Sequence, residues 1–272
     1  MKKFELTSEF VTFLEKKLFR IKALVSFGDV KEGGLGGLVE KEENLDQSGN
    51  AWVYGNARVS GDARVSGDAQ VYGNARVSGD AQVSGNAWVS GDAQVYGNAR
   101  VSGDARVSGN ARVSGDAWVS GDARVSGDAQ VSGNAWVSGD AQVYGNARVS
   151  GDARVSGNAR VSGDAWVSGD ARVSGDAQVS GNAWVSGDAW VSGDAWVQNC
   201  RDYSATSCFG SENRTTTFFR TKDGGISVRC GCFYGTLNEF REKVKERHGD
   251  SRLAKEYLML ADLMEFRLSN DE

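Results

Sequence analysis

From Ala51 to Cys200 the chain can be written as 25 consecutive hexads, Ala-x-Val-(Ser/Tyr)-Gly-(Asp/Asn), with nothing inserted between them. Repetition this strict limits the fold to a stack of equivalent units, each hiding the apolar side of the next. Ala and Val lie two residues apart, so in an extended strand both face one side while x faces the other. The interior is therefore Ala and Val, and x is Trp, Arg or Gln on the outside. The Ser-Gly-Asp or Tyr-Gly-Asn that follows is turn chemistry, because Gly and Asn reach positive φ at low cost. Only the last hexad, ending Gln198-Asn199-Cys200, lacks that turn.

Each hexad becomes one short side of a prism. Three sides per coil, or 18 residues, suit the small Ala at a cramped corner and the β-branched Val in the centre. Eight coils at a strand spacing of about 4.8 Å make a rod roughly 40 Å long. The composition agrees: 36 Gly with no Pro excludes collagen, which needs proline and a glycine every third residue.

The Ala-x-Val-x-Gly-x pattern resembles the bacterial hexapeptide-repeat family. That resemblance implies a mainly β fold, a left-handed parallel β-helix, and its handedness comes from the resemblance alone. Many family members are acyltransferases, and the resemblance implies a histidine base at a trimer interface with acyl-CoA in the groove between subunits. This chain departs from that pattern. Its one histidine, His248, lies beyond the repeat, and no loop interrupts the hexads. A neutral base for deprotonating an acyl acceptor is missing where the family needs it. The reading is a non-catalytic scaffold or binding protein; the alternative is an acyl-CoA-dependent acyltransferase acting as a trimer.

Residues 87–134 and 135–182 are identical over 48 positions. Because 48 is not a multiple of 18, copies of one side chain land on different faces of the prism. One face reads Trp52, Gln70, Trp88, Arg106, Arg124, Gln142, Arg160, Gln178, Trp196 and forms no uniform ladder. All eight tryptophans occupy x and are expected to point outward. Trp184, Trp190 and Trp196 close the rod on successive hexads, and exposed indoles suit sugar, peptide or subunit contacts, self-association among them.

Three segments follow. Residues 1–50 read as a β-rich cap with degenerate first hexads, Val39 and Leu45 being six apart, and with strands at Phe4–Leu6, Phe10–Phe13 and Leu18–Leu24. Residues 51–200 are the solenoid. Residues 201–272 read as a ββαα module: a hairpin of Thr215–Thr221 and Ile226–Phe233 turning at Lys222-Asp223-Gly224-Gly225, then two helices. The capping box Thr236-Leu237-Asn238-Glu239 opens the first, Gly249 stops it, and the second spans about Ser251 to Leu268. The stretch from Leu18 to Leu45, leading into Gly49-Asn50-Ala51-Trp52, resembles the N-termini of phage and prophage hexapeptide proteins often labelled putative acetyltransferases. The tail, around Thr215–Gly224 and Val228–Phe240, resembles a terminal module on phage-associated repeat proteins. No activity is established for that module. Non-repetitive sequence is where specificity can be stored, so Phe233 and Tyr234 join the three terminal tryptophans as binding candidates for a protein or glycan.

The formal net charge is −5, and residues 201–272 carry 12 basic and 12 acidic side chains. Without a basic patch the long-range attraction behind nucleic-acid binding is missing. The polar N-terminus and the lack of any long apolar run lead us to expect a cytoplasmic protein without a membrane span. Cys200, Cys208, Cys230 and Cys232 are then thiols rather than disulfides. Their C-x7-C-x21-C-x-C spacing lacks the paired C-x2-C knuckle of structural zinc. Small buried thiols in a β-hairpin are the expectation, zinc the competing reading, and no other cofactor is implied.

Overall fold

A computed structural model describes residues 2–269. Every hexad from Trp52–Val53 to Trp196–Val197 forms a two-residue strand. Each strand pairs in parallel with the strand 18 residues on, Trp88 with Arg106 and Val89 with Val107 for example. Three parallel sheets result, the one beginning at Trp52 holding nine strands, so the rod has about nine turns. The Ala and Val side chains from Ala51 to Val197 are sealed inside. Glycines 55 to 193 of the hexads all sit at φ between 57° and 71°. At most of them a Cβ would also meet the backbone one coil on, Gly79 O at 2.9 Å in the case of Gly61. Glycine is thus required there for both torsion and space.

Main-chain bonds tie coil to coil: Arg124 N donates to Ala141 O and Ser126 N to Val143 O, both at 2.9 Å. The choice of Asn or Asp at the turn gains a reason. Asn86, Asn98 and Asn110 donate to the carboxylates of Asp104, Asp116 and Asp128 one coil on, at 2.8–2.9 Å. Interleaved Asn replaces like-charge stacking of carboxylates with a hydrogen bond.

The first coil is closed by strands Phe4–Phe13, Lys16–Ala23 and Leu35–Val39, the last pairing in parallel with Arg58–Val59. Val39 lies beside Val59 and Leu45 beside Val65, which is the degenerate pair of hexads expected. Two of the expected N-terminal strands merge into one ten-residue strand whose register shifts between Leu6 and Phe10. Trp52 differs from the expectation: it is 1% exposed, edge-on to Phe4 and Phe27, and plugs this end of the rod. The buried Lys3 ammonium donates to the carbonyls of Ser48, Gly49 and Ala51, which have no further coil to receive them.

At the other end the tail sheet has four antiparallel strands, not two: Tyr203–Phe209, Arg214–Arg220, Ile226–Cys230 and Phe233–Thr236. Phe233 begins a strand of its own because the chain turns at Gly231, where φ is 58°. Adjacent residues of a strand face opposite ways, and Phe218 and Phe219 use this to serve two cores. Phe219 enters the rod's Ala/Val interior. Phe218 packs with Val228 under α1 (Leu237–His248) and α2 (Arg252–Leu268). The capping box at Thr236 and Glu239 and the stop at Gly249 are as expected. Among the described residues no helix is long and apolar enough to cross a membrane.

Two predictions test this arrangement. Val125→Asp buries a carboxylate with no partner and should cost about 4 kcal/mol or more, whereas Arg124→Asp, on the outer face, should stay within about 0.5 kcal/mol. Urea unfolding of both variants checks the inward and outward assignment. Lys3 supplies the second. Burial pushes its ammonium down to about 8 from the ordinary 10.5, against the pull of Asp46 and Asp68. Between these values the unfolded chain holds a proton that the folded chain has released, so stability due to Lys3 rises with pH there. The unfolding free energy of wild type minus that of Lys3→Met should be level below pH 8 and grow towards pH 10.5. A difference that stays flat, or shrinks, would contradict the assignment.

Candidate functional site

Successive hexads lie on successive faces, so the structure separates the three terminal tryptophans instead of clustering them. Trp184 ends the sheet that begins at the N-terminal strands, Trp190 ends the second and Trp196 the third. Trp184 is the most open indole at 49% exposure, Trp196 is exposed, and Trp190 is half-buried beneath the tail.

The rod's other indoles are organised by the coil spacing. Trp118 stacks on Trp136 with centroids 5.0 Å apart, flanked by the Arg100 and Arg154 guanidinium groups at 5.9 Å. Trp166 stacks on Trp184 at 5.2 Å. Each of these indole N–H groups donates to a serine hydroxyl on the preceding coil, as Trp118 does to Ser102 at 3.1 Å. The ring faces of the Trp118–Trp136 pair are therefore occupied by the rod's own side chains. A sugar that binds by stacking on an open ring face finds none in that pair.

The tail meets the rod through a seam of mixed chemistry. Trp190 N donates to Thr217 Oγ1 at 3.0 Å, Lys222 N to Asp194 O at 3.1 Å, and the Tyr203 hydroxyl to Trp184 O. Arg229 lays its guanidinium 3.6 Å over Trp190, whose ring Arg172 approaches at 5.4 Å. Tyr234 crosses Gly193 so closely that a Cβ there would lie 1.9 Å from its hydroxyl oxygen.

Next to this seam is a cleft of about 470 Å³ between the tail sheet and the helices. Phe233, Phe240, Val244 and Tyr257 line it apolarly, and Lys243, Arg247 and His248 stand along α1. His248 stacks on Tyr257 at 5.7 Å, and Tyr257 Oη accepts from Ser211 N at 3.2 Å. The histidine is thus in the tail cleft and not on the rod. Phe233 and Tyr234 both line this cleft, which brings together two of the five binding candidates. Arg214, Arg229, Arg247 and Tyr257 were missed, since they come from separate elements and no local motif unites them.

The cysteines are not the buried hairpin residues expected, because these positions lie at the edge and surface of the module. Cys230, half-buried, and Cys232, exposed, line the cleft, while Cys200 at the end of the last hexad and Cys208 in the tail are exposed elsewhere. Among the described residues no group of three or more His, Cys, Asp or Glu side chains is placed to hold a metal ion.

The fold defines a β-solenoid repeat protein with a structured module at each end of the rod. Within the rod, residues 51–67, 69–82, 93–107, 105–121, 141–155, 153–169, 165–181 and 177–193 match the YdcK beta solenoid repeat. The similarity lies wholly in the rod. Comparison with curated proteins returns no match.

Thiol chemistry gives a direct check of the tail. Cys200, Cys208 and Cys232 are exposed, whereas Cys230 is half-buried and receives a hydrogen bond from Thr216 Oγ1 at 3.2 Å. Titration with a disulfide reagent of the native protein should show three fast thiols and one slow one, with peptide mapping placing the slow one at Cys230. Joint protection of all four, with zinc released on modification, would restore the metal reading.

Proposed function

We propose that this chain is a non-catalytic scaffold: a rigid rod that holds its C-terminal module away from its N-terminal sheet and uses that module to recognise a protein or glycan. The observation that carries this reading is the fate of the duplicated tryptophans. The 48-residue repeat turns the Trp118–Trp136 stack of one face into the Trp166–Trp184 stack of another. Such a shift leaves the Ala/Val interior untouched, because any whole number of hexads continues the rod, but it scrambles whatever was written on a face. A rod required only for length and stiffness accepts that change. The tail, with its apolar cleft and non-repeating side chains, does not share the scrambling.

The phage origin and the acyl-transfer alternative rest on sequence resemblance, and the position of His248 in the tail cleft favours neither. Acetyl-CoA turnover by the purified chain that disappears in His248→Ala would overturn the non-catalytic reading.

Removing residues 135–182 should leave a folded rod that small-angle scattering finds shorter by about 13 Å, eight hexads being two and two-thirds coils of about 4.8 Å each. In affinity capture, Tyr234→Ala and Arg247→Ala should release a partner that Trp118→Ala and Trp136→Ala retain. The opposite pattern would make the rod face the binding surface. Truncation after Val197 is a poorer test, since it also uncovers the rod end that Phe219 fills.

A further inference from the structure

Beside the tail cleft, across Arg214 and Gly231, which line both, lies a second cleft of about 390 Å³ against the rod. Arg172, Trp190 and Arg229 line this second part, with Asp170 and Asp188 on the rod side. Arg229 is unusual there. Stacked on Trp190, it makes no ion pair among the described residues, and its Nε is sealed from solvent without a hydrogen-bond partner. Arg172 and Arg247 likewise have no carboxylate within ion-pair reach among the described residues, while Arg214 has only Glu212 at 3.7 Å. The larger part of the groove is thus floored by aromatic rings with Lys243 and Arg247 at its edge. The smaller part sets Arg172, Arg214 and Arg229 beside Asp170 and Asp188, with neither aspartate in an ion pair to them among the described residues, so that basic side chains outnumber acidic ones along the whole groove.

We propose that this groove binds a short acidic peptide segment of a partner protein, placing an apolar side chain in the larger cleft and a carboxylate against Arg229. The inference rests on the reading of the tail as the recognition end. An arginine fork matches a carboxylate in shape and charge, and a stacked guanidinium is already held in place, so little freedom is lost on binding. Asp170 and Asp188 oppose a second carboxylate on the rod side, which confines the first to the arginine side. The aromatic rings argue for peptide over sugar. Tyr257 is taken by His248 and Phe240, and Phe240 by Phe218 and Phe233, so the larger cleft offers volume more than ring faces. Its one exposed ring, Tyr234, is approached by Arg229 at 5.9 Å and lies across Gly193.

The test uses the full-length protein on immobilised hexapeptide pools in which one position at a time is fixed. Pools fixed as Asp or Glu, and pools fixed as Phe, Leu or Ile, should be enriched, and binding should fall as salt is raised. Arg229→Gln and Arg247→Gln should each weaken the selected peptides at least 10-fold, and Trp118→Ala should leave them unchanged. Arg247 is exposed on α1, so its substitution separates lost binding from a loosened module. Enrichment of basic pools, enrichment of none, or a profile unmoved by both arginine variants would overturn the proposal. Selection of acidic oligosaccharides on a glycan array, lost in Arg247→Gln, would overturn the peptide while leaving the tail as the recognition end. A partner retained by every cleft variant would overturn both.

Discussion

Hydrogen bonds in this rod run from coil to coil, so each coil is satisfied only by its neighbours and the stack has two ends that nothing in the repeat can complete. A buried carbonyl or amide left open costs a sizeable part of a domain's whole stability. Both ends are therefore made of unlike sequence. At the first coil a lysine ammonium gathers three carbonyls and Trp52 fills the opening. At the last, Phe219 enters the interior while Asp202 accepts from the backbone of Gln198 and Asn199 at 2.8 and 3.0 Å. The ends differ because one must supply donors and the other acceptors and bulk.

Between those ends, one rule of two-residue alternation decides every side chain. It was legible in the sequence: 18 residues per coil, the Ala/Val interior and the composition of each face follow from the hexad alone. Exposure at x did not follow so fully. Trp52 and Trp88 occupy the same hexad position on the same face, yet one is buried and the other exposed. The difference comes from Phe4 and Phe27, which no local pattern links to Trp52.

The tail was legible in its helices, where a capping box and a stopping glycine are local signals. Its sheet was half legible. Tyr203–Phe209 reads Tyr-Ser-Ala-Thr-Ser-Cys-Phe, too polar and too irregular to announce a strand, and it forms because Arg214–Arg220 offers it a partner. The adjacent Phe218 and Phe219 looked like one apolar pair, but each belongs to a different core. The groove was least visible of all. Its walls draw on residues from Asp170 to Tyr257, and only the docking of the tail on the rod puts Arg229 over Trp190.

That docking ties the groove proposed for recognition to the rod in a particular way. The groove uses Asp170, Arg172, Asp188 and Trp190, so its rod-side wall is the last coils and not the rod as a whole. The 48-residue duplication ends at Asn182, and Asp188 and Trp190 lie beyond it. A gain or loss of whole hexads further up would turn the groove about the rod axis and move it along, but it would not change the chemistry of its walls. Length and azimuth are thus free to vary while the site stays intact, provided the partner touches the tail end alone. A partner that bridged both ends would feel each change of register, since one extra hexad turns the tail by a third of a revolution. The scrambled faces of the rod are therefore compatible with the proposed recognition at the tail end and not with a contact that spans both ends in fixed register.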